Sequence, residues 1–88
     1  MNNYCVYKHT TPSGKVYIGI TCQEPRKRWK GGKGYELCTA FNRAIIKYGW
    51  DNISHEIILD GLDKKTACEA EQTLISKYDS TNPKRGYN

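Results

Sequence analysis

Several things are missing from these 88 residues. No apolar run approaches the length of a transmembrane helix, which argues against a membrane-spanning chain. The four cysteines, Cys5, Cys22, Cys38 and Cys68, are scattered. They form no CxxC pair and no Cys/His spacing suited to zinc, which excludes the common structural zinc modules. No segment reads as an export signal, so the cysteines are expected to be reduced, mostly buried thiols in a cytoplasmic protein. Gly31-Gly32-Lys33-Gly34 follows no strand and lacks the spacing of a phosphate-binding loop. No Ser/His/Asp set, internal repeat or low-complexity segment is visible. Acidic residues are scarce in the first half: residues 1–48 carry nine Lys/Arg against two acids, whereas residues 49–88 carry five against seven. A basic half points toward a polyanion, with nucleic acid first and a membrane surface second.

The residues that remain support one small domain, 1–88, with a modest core at 38% apolar content. Tyr4–His9 and Lys15–Ile20 are rich in β-branched and aromatic residues, and Thr10–Gly14 between them are turn formers. This reads as a hairpin. Symmetric pairing sets His9 opposite Lys15 and Tyr7 opposite Tyr17, and a bulge would alter that register. Pro25 suits the first position of a short basic helix, Arg26–Lys30, with Thr21 or Gln23 near its cap. Gly31, Gly32 and Gly34 are expected to end it in a mobile loop that carries Tyr35. Phe41, Ala44, Ile45 and Tyr48 recur at helical spacing over about 38–48, closed by Gly49. Ile53–Leu59 alternates as a third strand, with Ile53, Ile57 and Leu59 inward and His55 on their face as a core histidine. Asp63 is the expected N-cap of a last helix, about 64–78, with an apolar stripe of Ala67, Ala70, Leu74, Ile75 and Tyr78.

Glu71 falls inside that stripe, four residues after Ala67 and three before Leu74. A carboxylate on an apolar face needs a cation, a metal or a hydrogen-bond network. The bland alternative is a glutamate at the edge of the stripe that pairs with a lysine. Tyrosine pairs on sheets are usually packing devices, and Lys27-Arg28-Trp29-Lys30 alone reads as a solvated face with one aromatic anchor.

Taken in order, these residues resemble the GIY-YIG endonuclease family over essentially the whole chain. The first motif appears as Cys5-Val6-Tyr7, with Cys and Val in place of Gly and Ile. The second is intact as Tyr17-Ile18-Gly19. The family's helix arginine matches Arg28, and its metal-binding glutamate matches Glu71, with Ile75 and Tyr78 following. Gly86-Tyr87-Asn88 matches its Asn-ending segment. The stretch from Phe41 to Trp50 is similar to the subgroup found in phage and in bacterial stand-alone or homing-type nucleases. Two departures matter: Cys5 replaces a glycine, and Gly32 stands where many members carry a histidine, a role that Tyr35 is a candidate to fill.

The resemblance implies an α/β domain of the α+β type, a small three-stranded antiparallel sheet flanked by about three helices. It also implies hydrolysis of DNA phosphodiester bonds with Mg²⁺ or Mn²⁺. Glu71 would ligate the metal, Arg28 would stabilise charge on the phosphate, Tyr7 would be the general base and Tyr17 would orient water or phosphate. Tyr7 and Tyr17 are interchangeable at this level. Gly19 and Asn88 would support the site. Arg26, Lys27, Lys30, Lys33, Lys84 and Arg85 would contact DNA phosphates without reading bases. The chain would be a stand-alone, weakly specific nuclease, a catalytic subunit, or a fragment working with a separate DNA-recognition domain or subunit. The oligomeric state stays open. Two other readings also stay open: a DNA-binding module that has lost cleavage, and a small partner-binding domain in which Glu71 is structural.

Overall fold

The computed structural model describes residues 3–88 and forms a three-stranded antiparallel sheet with three α-helices. The strands are β1 (Tyr4–Thr10), β2 (Val16–Thr21) and β3 (Ser54–Leu62), in the spatial order β2-β1-β3. The helices are α1 (Pro25–Trp29), α2 (Thr39–Tyr48) and α3 (Lys64–Tyr78). β1 is central because both its faces are apolar enough to bury. Cys5, Tyr7 and His9 face one side and Val6 the other, all essentially inaccessible. α3 covers the Val6 side, packing Ala67, Ala70, Leu74, Ile75 and Tyr78 on Val6 and Ile18. α2 and the turns around it cover the Tyr7 side with Tyr35, Phe41, Ala44 and Ile53. Among the described residues no helix is long and apolar enough to cross a membrane.

Helix ends follow the expected chemistry in two places. The Asp63 carboxylate accepts from the Thr66 amide at 2.7 Å, capping α3. The Gly49 amide closes α2 on the Ile45 carbonyl. At α1, Pro25 is the first helical residue, but Glu24 occupies the N-cap in place of Thr21 or Gln23 and makes no side-chain cap bond.

Three expectations are corrected. The hairpin register is two residues off the symmetric one: Tyr7 faces Gly19, and His9 faces Tyr17. The Thr11 amide bonds to the Lys15 carbonyl, so the loop is Thr11–Lys15 rather than Thr10–Gly14. A shift of two preserves the face, so Tyr7 and Tyr17 still share it. Second, Ile57 and Leu59 are not inward together; they are 40% and 44% exposed. β3 is an edge strand, and irregularities between Tyr4 and Val6 and between Val6 and Tyr7 put extra residues on it. Ile57 therefore pairs with Tyr7 and Leu59 with Val6, on opposite faces. Third, Lys30–Tyr35 is not an open loop but a tight 3₁₀ segment. Gly32, at φ 98°, is buried where a Cβ would lie 3.0 Å from Ile45 and 3.1 Å from Trp50. That left-handed turn aims Tyr35 into the core.

The tail holds the outer edge of β2. The Tyr87 amide donates to the Val16 carbonyl at 2.9 Å, and the Val16 amide donates to Arg85 at 3.2 Å. The Asn88 amide side chain bonds both backbone groups of Ile18, at 2.8 Å and 2.7 Å. It occupies the position a further strand would take, satisfying an edge that would otherwise be open.

Candidate functional site

Tyr7 leaves β1 and lies across β2 above Gly19. A Cβ at Gly19 would sit 2.5 Å from the Tyr7 Oη, so the ring takes this course only over glycine. Tyr7 is 1% exposed, edge-on to Trp29 at 5.6 Å. Burial pushes its hydroxyl up from the ordinary phenol range, while the Arg28 guanidinium pulls it down. Tyr17 is half-buried and stacks on Phe41 at 4.8 Å. Its Oη is 3.7 Å from the Cys38 Sγ. Burial and then Cys38 raise its titration, against Arg28.

Arg28 is held by a 2.9 Å hydrogen bond from Nη1 to the Gly34 carbonyl, with its guanidinium carbon 4.8 Å from the Tyr35 ring centre. Its charge acts on Tyr7, Tyr17, Tyr35 and His9 alike. These four aromatic groups and one cation are therefore brought together.

Tyr35 is fully buried and bonds the His9 Nε2 at 2.6 Å. Burial, then the neighbouring Tyr7, drives its hydroxyl well above the phenol range. His9 Nδ1 meets His55 Nδ1 at 2.9 Å, and His55 Nε2 meets the Trp50 carbonyl at 3.1 Å. A carbonyl only accepts, so His55 Nε2 carries a proton. With His55 neutral, its Nδ1 accepts from His9 Nδ1–H. His9 Nε2 then accepts from the Tyr35 hydroxyl. One set of neutral tautomers satisfies every bond in this chain. Burial, then His55 and Arg28, hold His9 neutral down to a pKa of about 3.

Glu71 comes from α3, beneath the opposite face of the sheet. Its charge nevertheless reaches Tyr7, because the Tyr7 ring crosses the edge strand above Gly19. The carboxylate is half-buried, and burial raises its pKa. Among the described residues it makes no hydrogen bond or ion pair, and no group of three His, Cys, Asp or Glu gathers anywhere. A half-buried carboxylate with no protein partner suits a hard divalent ion that takes its other ligands from water and phosphate.

The expected DNA contacts fall in two groups. Arg26, Lys27, Lys30 and Lys33 are exposed on and after α1. Lys84 and Arg85 lie in the tail beside the start of β2, with Arg85 Nε 3.8 Å from Asp79 Oδ2. Asn88 is tied to the β2 backbone rather than to the tyrosines.

His9 escaped the sequence reading as a site residue, although strand alternation from Tyr7 put it on the same face. His55, expected in a core role, does pair with His9 across β1 and β3. Trp50 stacks on His55 at 4.0 Å, and no spacing rule announces that contact. The chain matches no protein-family model, no curated protein and no solved structure. The functional reading rests on the residues and their geometry.

Proposed function

We propose that the chain is a metal-dependent endonuclease of the GIY-YIG type, hydrolysing DNA phosphodiester bonds. The observation that supports it is the gathering of Tyr7, Tyr17, Tyr35 and Arg28 on one sheet face, with the unpartnered Glu71 carboxylate acting on Tyr7. Glu71 would hold Mg²⁺ or Mn²⁺; when bound, the ion would polarise the phosphate and stabilise the leaving oxygen. Arg28, already fixed by Gly34, offers a planar donor set to two phosphate oxygens. Tyr7 would be the general base, its phenolate favoured by Arg28 and by a bound metal, while Tyr17 would orient water or phosphate. The partner is DNA. The setting is read as cytoplasmic, because four unpaired cysteines suit a reducing compartment.

A second reading, a DNA-binding module that has lost cleavage, is favoured by one observation: Tyr7 is 1% exposed, a poor position for a base that must meet water. Plasmid nicking in Mg²⁺ or Mn²⁺ separates the two. Arg28→Gln and Glu71→Gln are each expected to lower the cleavage rate by about 10²-fold or more. Because Glu71→Gln removes a half-buried unpaired charge, it should leave the fold as stable or more so. Cleavage by Glu71→Gln equal to that of the wild type sinks the assignment. Duplex binding without cleavage in any metal selects the second reading.

A further inference from the structure

Two shallow cavities meet at the β1–β2 loop, apart from the tyrosines. One, of about 200 Å³, is bordered by Ser13, Lys15, Arg43, Lys47, Tyr48 and Tyr87. The other, of about 260 Å³, has Ser13 and Lys15 on its wall together with Tyr78, Lys84 and Arg85. Five cations thus line one groove, and among the described residues no carboxylate lines either cavity. Arg85 Nε lies 3.8 Å from Asp79 Oδ2. Arg43 and Lys47 stand four apart on α2 and so share a helix face, where like charges repel. Aromatic rings steady the ammonium groups instead of neutralising them. The Lys15 Nζ is 5.8 Å from the Tyr87 ring centre, and the Lys47 Nζ is 5.2 Å from that of Tyr48. The Tyr48 hydroxyl makes no hydrogen bond among the described residues. Concentrated positive charge, met by a carboxylate only at Arg85 among the described residues, around a concave, hydroxyl-bearing wall is complementary to phosphate groups in series.

The groove also adjoins the site. Tyr87, on its wall, packs on Phe41 at 5.5 Å, and Phe41 stacks on Tyr17 at 4.8 Å. One aromatic layer separates the groove from Tyr17. The cations of α1 and the segment after it line neither cavity.

We propose that this groove, with Arg43 and Lys47 on one wall, Lys84 and Arg85 on the other and Lys15 between, is a phosphate track that holds the DNA backbone beside the site. Lys15, Arg43 and Lys47 are its new members. The proposal rests on DNA as the partner but not on cleavage. A flat anionic membrane would need no concave, hydroxyl-bearing wall.

The test is fluorescence anisotropy of a labelled duplex of about 20 base pairs in EDTA, titrated with salt. Each phosphate contact contributes about 0.9 to the slope of log K against log salt. Arg43→Gln with Lys47→Gln should flatten the slope by about 2 and weaken binding by about 60-fold at 0.1 M salt, if the whole contribution is ion release. Adding Lys15→Gln should flatten it by about 3 in all. The same charge loss at Lys64 and Lys65, at the start of α3, should leave the slope unchanged. Matched melting temperatures establish that all variants fold. If wild type binds and the slope does not move, the track is overturned and the nuclease reading is untouched. If the slope moves as stated but no metal gives cleavage, the track stands and the nuclease reading falls. If wild type ignores the duplex but binds phosphatidylserine vesicles through Arg43 and Lys47, the groove is a membrane surface and the proposal is wrong.

Discussion

Acid should unfold this protein through His9. The side chain is 0% exposed and is faced by His55, Tyr35 and Arg28. In the folded state it stays neutral down to about 3. In the unfolded chain it takes a proton near 6.5. Between those values the unfolded state binds more protons, so stability is full above about pH 6.5 and is lost progressively as the pH falls toward 3. The loss is about 1.4 kcal/mol per pH unit, or about 2 kcal/mol at pH 5. For a domain of this size that lowers the melting temperature by about 8–16 °C between pH 7 and pH 5. His55, also held below its ordinary value by burial, acts in the same direction. Glu71, held above its ordinary value by burial, opposes both and tempers the fall. The assay is thermal melting by near-ultraviolet circular dichroism at constant ionic strength, for wild type and His9→Gln. The variant loses the imidazole but keeps an acceptor for Tyr35, so it should start about 1–3 kcal/mol less stable and fall less steeply. An equal pH slope in the two proteins, or a His9 ring titrating near 6 by NMR, would refute the reasoning.

Two further outcomes follow from the hairpin. Gly19→Ala puts a Cβ into the Tyr7 hydroxyl, so the ring must leave its course over β2. Urea unfolding should record a loss of about 1–3 kcal/mol, and a variant as stable as wild type would mean that Tyr7 does not need this passage. Asn88→Ala removes both bonds to the Ile18 backbone. It should cost about 1–3 kcal/mol and speed amide exchange at Ile18, and unchanged exchange there would count against the tail as an edge clamp.

Much of the fold was legible because local chemistry agreed with it. The Phe41–Tyr48 periodicity, the Gly49 stop, the Asp63 cap and the α3 stripe all hold. The misreadings share a cause: tertiary contacts decide where local rules are silent. Loop geometry set the hairpin register two residues away from symmetry. Bulges on an edge strand separated Ile57 from Leu59. Three glycines around Lys33 suggested looseness, yet positive φ at Gly31 and Gly32 is how the chain buries Tyr35. The tyrosines, Arg28 and Glu71 were visible as candidates in the sequence. The His9–His55 contact was not, because it joins residues 46 apart in sequence.

That contact bears on the question the sequence left open, which tyrosine would serve as base. The direction of the chain starts from a group that cannot donate, the Trp50 carbonyl. It commits His55, then His9, and finally makes Tyr35 a donor to His9. The Tyr35 oxygen is thereby left as an acceptor, and the Tyr7 hydroxyl is its neighbour. Among the described residues the Tyr17 hydroxyl hydrogen-bonds only the Cys38 sulfur, a weak partner that makes the phenolate harder to form. Tyr35 itself is already spent on His9 and is driven furthest from ionisation. Under the proposed function, Tyr7 is therefore the tyrosine left to act, its hydroxyl held by Tyr35 and its ionised form favoured by Arg28. Tyr35 then stands in for the histidine replaced at Gly32 by positioning Tyr7 rather than by taking a proton from water.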